Sequence, residues 1–200
     1  MRHDMTMMYA MHDALRRDLG AIATAAARRT PLLRTAAGWE LFKKALLTHH
    51  LAEDEVLWPA MRVALADKDD LTLLDAMEAE HARIDPLLEA IDAALLDDSR
   101  LDRLGDLADA LAVELTAHLA HEEKEAIDLI DATVSEQDMA AFGAAHSKRY
   151  GSDVSRVLPW LLDGAADETA ELIVGGLPEP VRNAYRDAWL PAHRAARLWP

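Results

Sequence analysis

The stretch M-E-A-E-H-A-R-I-D-P-L-L-E-A-I-D-A-A-L, Met77 to Leu95, decides the fold. Met77, His81, Ile84, Leu88, Ile91 and Leu95 step through it by 4, 3, 4, 3 and 4 residues. That spacing marks the buried seam of a packed helix. The same stripe stands 69 residues earlier as Met8, His12, Leu15, Leu19, Ile22 and Ala26. A second stripe repeats at the same offset: Phe42, Leu46, His49 and Glu53 return as Leu111, Leu115, His118 and Glu122. Four histidines and two glutamates therefore occupy positions that the pattern assigns to the core. Each such group left unpaired costs several kcal/mol, on the order of a core leucine or more. Two metal ions would satisfy all six at once.

Working outward, the stripes predict four helices, roughly Asp4 to Arg28, Thr35 to Ala66, Asp70 to Leu96 and Ser99 to Thr133. Thr30-Pro31 breaks the first from the second, because the residue before proline avoids the helical region. The chain thus reads as one helical hairpin written twice. Two hairpins packed face to face form an antiparallel, up-down-up-down four-helix bundle. About 16 residues separate His12 from the end of its helix, and about 14 separate His49 from the start of the next, roughly 24 and 21 Å at the helical rise. The six polar residues are expected at one level. Pro59 and Pro86 fall inside helices and should kink them near that level.

Past residue 134 the character changes. Ser135 with Asp138 reads as a capping box for a fifth helix that ends before Gly151. Residues 152–200 hold five of the eight prolines and three of the five tryptophans, with short helices predicted at 153–162, 167–174 and 179–190. The expected organisation is a metal-binding bundle over 1–134 and an extension over 135–200 that packs on it. No strand or hairpin signal is present, so the class is all-α.

Composition narrows the function. The formal net charge of −15 in 200 residues argues against a nucleic-acid surface, which needs clustered Lys and Arg to displace counterions, and against anionic membranes. The absence of cysteine excludes disulfides, thiolate zinc sites and iron–sulfur clusters. The first 19 residues carry charges throughout and lack an apolar core of the signal-peptide type. No run approaches 18 apolar residues. A soluble, cytoplasmic protein is expected.

His49/Glu53 and His118/Glu122 are both His-x-x-x-Glu, which puts a carboxylate one turn from an imidazole on one helix face. Such a carboxylate can reach across to a second metal. Imidazole and carboxylate without soft sulfur suit iron, with manganese and zinc fitting the same donors. Two histidines per metal leave open positions for dioxygen, nitric oxide or peroxide. His50, Asp54, His121 and Glu123 lie beside the seam and read as flanking residues, Asp54 and Glu123 as carboxylates that orient ligating imidazoles. His146 and Tyr150, one turn apart on the fifth helix, and Glu78, three residues before His81, are the further residues placed to close an open position.

T-H-H-L-A-E-D-E-V-L-W-P, Thr48 to Pro59, and A-H-L-A-H-E-E, Ala117 to Glu123, resemble the helix-2 and helix-4 motifs of the hemerythrin-like (HHE cation-binding) family, and the tail segment L-P-W-L-L-D-G-A from Leu158 resembles extensions of its bacterial members. The resemblance covers about residues 4–132. It implies a non-haem di-iron centre in which His12 and His49 hold one iron, His81 and His118 the other, and Glu53 and Glu122 bridge. The oxygen-carrying hemerythrins have a second histidine one turn before the position of His81, where this chain has Met77. That departure points away from reversible oxygen carriage and toward sensing, reactive chemistry or a replacement ligand. Three functions follow: a protein that binds or senses O2, NO or peroxide; a di-iron enzyme that decomposes peroxide, reduces NO or oxidises a substrate with O2; or a structural, partner-binding bundle with a vestigial site. No nucleophilic triad or nucleotide loop supports another enzyme class.

Overall fold

The computed structural model describes residues 3–28, 31–65 and 68–200. The expected break at Thr30 and the expected helix end at Ala66 lie outside them. The described residues contain helices and turns and no strand. The architecture is an all-α bundle. Its first rod is α1 (Thr6–Ala27). The second is α2 (Ala37–Ala52), a π-turn (Glu53–Leu57) and α3 (Trp58–Ala64). The third is α4 (Lys68–Leu95). The fourth is α5 (Leu104–His121), a second π-turn (Glu122–Ala126) and α6 (Ile127–Thr133).

The apolar stripes pack as the spacing requires. Leu15, Leu46, Ile84 and Leu115 have no exposed surface. Two apolar clusters form, one built on Leu19, Phe42, Leu88 and Leu111 and one on Met8, Trp58, Met77 and Ile130. In each rod the histidine falls where one cluster gives way to the other. The bundle is thus a stack of apolar, polar and apolar layers.

Both prolines fall inside the rods, as expected. Pro86 lies within α4 without ending it, and Pro59 occupies the first turn of α3, directly after the π-turn. There its missing N–H costs little. The π-turns recur at the 69-residue offset, and the second has no proline near it. What both share is a start at the glutamate of His-x-x-x-Glu. The wider turn inserts one residue into the helical phase, so the buried face resumes at Leu57, Trp58 and Met61 after Glu53, and at Ala126, Ile127 and Ile130 after Glu122. A π-turn is rare and marks functional positions more often than chance.

Beyond the bundle come α7 (Glu136–Tyr150), α8 (Val154–Leu161), α9 (Asp167–Gly175), α10 (Glu179–Ala184) and, after a π-turn (Tyr185–Trp189), α11 (Leu190–Ala195). The Ser135 hydroxyl caps α7 by accepting from the Asp138 amide at 3.1 Å. Gly151 ends it at φ 51°, a left-handed conformation that favours glycine. The helices α7 and α8 pack on α2, and α8 and α9 on α1. Asp18, almost fully buried in α1, accepts from the Trp160 indole at 2.6 Å and from Arg17 at 2.8 Å. Arg17 also donates to the Trp160 and Asp163 carbonyls and lies over the Trp160 ring. The chain end lies against α2: the Gly38 amide donates to the Leu198 carbonyl at 2.8 Å. A Cβ on Gly38 would sit 2.4 Å from the Trp199 ring, so the close approach requires glycine. No described helix is long and apolar enough to cross a membrane.

Candidate metal centre

The layer between the apolar clusters brings together all six residues singled out by spacing. His12, His49, Glu53, His81, His118 and Glu122 are each at most 2 % exposed. His50 joins them, also fully buried. Ligand atoms of His12, His49 and Glu122 lie within 4.8 Å of one another, as do those of His50, His81 and His118, and those of Glu53, His118 and Glu122.

The imidazoles pair across the layer. Nε2 of His12 lies 3.1 Å from Nε2 of His49, and Nε2 of His81 lies 3.2 Å from Nε2 of His118. The outer nitrogens explain why these atoms face inward. Nδ1 of His12 meets Glu123 at 2.9 Å, Nδ1 of His81 meets Asp54 at 2.8 Å, and Nδ1 of His118 meets Glu80 at 2.9 Å. An ionised carboxylate only accepts, so each Nδ1 carries the hydrogen. In neutral His81 and His118, Nε2 is then a lone pair, and two lone pairs face each other. A cation between them turns that repulsion into attraction. Two nitrogens held cis on one metal at about 2.1 Å are roughly 3 Å apart, and the observed separations agree.

The carboxylates make the same demand. Glu53 reaches both pairs: one oxygen is 3.4 Å from His49 Nε2 and the other 3.5 Å from His81 Nε2. Glu122 Oε2 is 3.2 Å from His12 Nε2 and 3.9 Å from His118 Nε2. Yet no oxygen of either glutamate makes a hydrogen bond of acceptable geometry, and Nε2 of His50 has no partner. Five buried polar atoms without partners are far outside what a metal-free core tolerates, at about 1–3 kcal/mol each. The donor set fits a dinuclear metal site.

Protons compete for the same atoms. Burial opposes the charged form of His12, but Glu122 and Glu123 outweigh it and raise its pKa to about 9. Burial lowers His49 and His50 well below the usual histidine value, and lowers His118. Burial also pushes the Glu53 carboxyl well up, reinforced by the neighbouring Glu122. Glu122 resists the same burial because His12 holds it low. Burial works against Glu123 too, but hydrogen bonds from His12 and Arg16 bring it down to about 2. Arg16 donates to both Glu123 oxygens, at 2.7 and 2.8 Å.

Sequence reasoning placed Asp54 and Glu123 behind ligating histidines, and the structure puts both there. It missed three others. His50, read as a flank, points into the layer: its ring stacks on His81 with centroids 3.9 Å apart, and its Nδ1 meets Asp85 at 2.6 Å. Glu80 holds both His118 and His121, and these bonds outweigh burial and keep its pKa low. The available signal was the broken repeat. At the 69-residue offset His50 aligns with Leu119, Glu80 with Met11 and Asp85 with Arg16. Three polar positions thus have an apolar or oppositely charged counterpart in the repeat. Of the proposed replacement ligands, Glu78 is committed to Arg62 at 3.0 Å. His146 stands beside the layer, its ring 6.0 Å from that of His49, with Nδ1 on the Phe142 carbonyl. Tyr150 lies one ring farther, 6.1 Å from His146. Neither joins the three clusters.

A search of curated proteins and a search of solved structures each returned no match. The model of the hemerythrin HHE cation binding domain matches residues 3–130, the segment that contains every residue of the polar layer. With that match over more than half of its length, and a donor set that could hold cations, the chain belongs to the hemerythrin HHE cation-binding family.

Proposed function

We propose that the layer holds two iron ions bridged by Glu53 and Glu122, and that the protein reacts with or senses O2, NO or peroxide. His12 and His49 hold one ion. His81 and His118 hold the other, with His50 as its third imidazole in place of the histidine that Met77 lacks. The observation that carries this reading is the facing of imidazole Nε2 atoms at 3.1–3.2 Å beside unpartnered carboxylates. Iron would supply redox chemistry toward small diatomic and peroxide ligands. The chain's own contribution is to fix the tautomers through Glu123, Asp54, Glu80 and Asp85, and to exclude bulk water with Leu15, Leu46, Ile84 and Leu115.

Elemental analysis after iron-replete expression tests the stoichiometry, with two iron atoms per chain expected. One or fewer would overturn it. Rapid mixing of the reduced protein with O2, NO or peroxide tests reactivity through the optical spectrum. A reversible spectral change without turnover identifies a sensor or carrier, and sustained consumption identifies an enzyme. No spectral response to any of the three would leave a structural bundle.

A further inference from the structure

A cavity of about 480 Å³ opens beside the metal layer and ends on His49. Its volume lies within the ~300–1,000 Å³ range of sites that enclose small organic ligands. Met8, Met11, Phe142, Val157, Leu158 and Leu161 supply an apolar lining, and no lysine or arginine lines it. Much of the wall comes from α7 and α8, outside the residues that match the family model. Exposed lining residues such as Met7 and Ser147 mark the open end.

Besides His49 and the exposed Asp4 and Ser147, two polar groups interrupt the lining, one turn apart on α7. The Tyr150 hydroxyl is buried and has no hydrogen-bond partner. A buried tyrosine hydroxyl ordinarily finds one. Burial raises its pKa, so it remains a donor. His146 is its complement. Nδ1 sits 3.1 Å from the Phe142 carbonyl, which can only accept, so Nδ1 carries the hydrogen. With the hydrogen on Nδ1, Nε2 of the uncharged ring is left as an acceptor.

A ligand matched to this wall has an apolar body and one group that both accepts and donates. A carboxylate would be desolvated without a cation, and a ketone would leave His146 unanswered. We propose that the cavity binds an uncharged, largely apolar alcohol, its hydroxyl accepting from Tyr150 and donating to His146, beside the metal ligand His49. Its standing as a substrate or effector of the iron centre rests on the function proposed above; its binding does not.

Calorimetric titration of the zinc-loaded protein with 1-octanol and with octanoate tests this. Saturable 1:1 binding of octanol is expected, with octanoate at least tenfold weaker. Tyr150→Phe removes only the hydroxyl and should weaken octanol about tenfold without changing metal content. Val154→Trp, at a half-buried lining position, should block it by filling space. In cobalt-loaded protein the octanol proton resonances should broaden through proximity to the metal. No saturable binding, octanoate binding as tightly as octanol, or an unchanged affinity in Tyr150→Phe would overturn the proposal. Iron below two per chain with octanol still bound would instead remove the di-iron reading and leave the cavity site standing.

Discussion

Glu53 and Glu122, 69 residues apart and each the first residue of a π-turn, converge within 4.8 Å and take opposite protonation tendencies. Burial and the neighbouring charge push Glu53 up, while His12 holds Glu122 down against the same burial. Two buried carboxylates this close ionise together only when cations lie between them.

Metal uptake should therefore depend steeply on pH. In the metal-free protein His12, with a pKa of about 9, carries a proton at neutral pH, and Glu53 is raised toward the same state. A metal must displace these protons. Each contributes about a tenfold gain in apparent affinity per pH unit until its own pKa is passed. For His12 the gain ends near pH 9. Competition titration against a chelator across pH 6–9 measures the slope, and a flat profile would contradict the assignment.

Chelation should destabilise the fold. Without metal, His49 and His50 stay neutral because burial lowers their pKa. Their contribution is present above the unfolded value near 6.5 and is lost as the pH falls below it. His12 has the opposite sense: its stabilisation is full below about 6.5 and fades as pH rises through about 9. Removing metal should lower Tm by about 10 °C at pH 7.5, from several unpartnered atoms at about 1–3 kcal/mol each. The gap between metallated and chelated protein should shrink below pH 6.5, as calorimetric scans would show.

The inner and outer carboxylates should separate on substitution. Glu53→Ala or Glu122→Ala removes an inward oxygen pair and should abolish binding of at least one metal. Asp54→Ala or Glu123→Ala removes a carboxylate that only orients an imidazole, which costs about 10–100-fold in affinity. Equal losses in both sets, by elemental analysis, would place the bridges elsewhere.

His50 should act on one metal of the two. His50→Leu copies the residue that the repeat carries at Leu119. It should weaken one step of the metal titration and leave the other unchanged. Asp85→Asn should show the same selectivity in milder form. Loss of both metals together, or of neither, would remove His50 from the ligand set.

The docked tail gives a separate test. Trp160→Phe removes the donor of a buried bond of 2.6 Å to Asp18 and should cost about 1.5–3 kcal/mol. Gly38→Ala drives a Cβ into Trp199 and should release the chain end. Faster proteolysis near residue 195 in Gly38→Ala, with metal content unchanged, is the expected result.

The layer was legible because the repeat fixed its phase twice: His12 with His81, and His49–Glu53 with His118–Glu122. Burial follows the stripes from Met8 to Ile22 and from Met77 to Leu95. The π-turns were not legible, since a stripe assumes a uniform 3.6-residue turn and Trp58 and Ile127 are buried only after an extra residue. His50 was hidden by the assumption of a narrow seam. A core-facing stripe wider than about 100° takes in a residue adjacent to the central one, and Leu119, its buried counterpart, shows the same width. Asp18 gave no signal, because its partner Trp160 is 142 residues away.

The broken repeat makes the two proposed metal positions unequal. Around His81 and His118 the chain adds His50, Asp85 and Glu80; around His12 and His49 it offers Leu119, Arg16 and Met11 instead. The nitrogen-rich pocket, with three imidazoles in reach of one point, suits an ion that stays put. The sparser one, whose His49 borders the cavity, suits an ion that exchanges partners with whatever arrives. The two halves of the repeat thus offer unequal berths, one built as an anchor and one as a doorway.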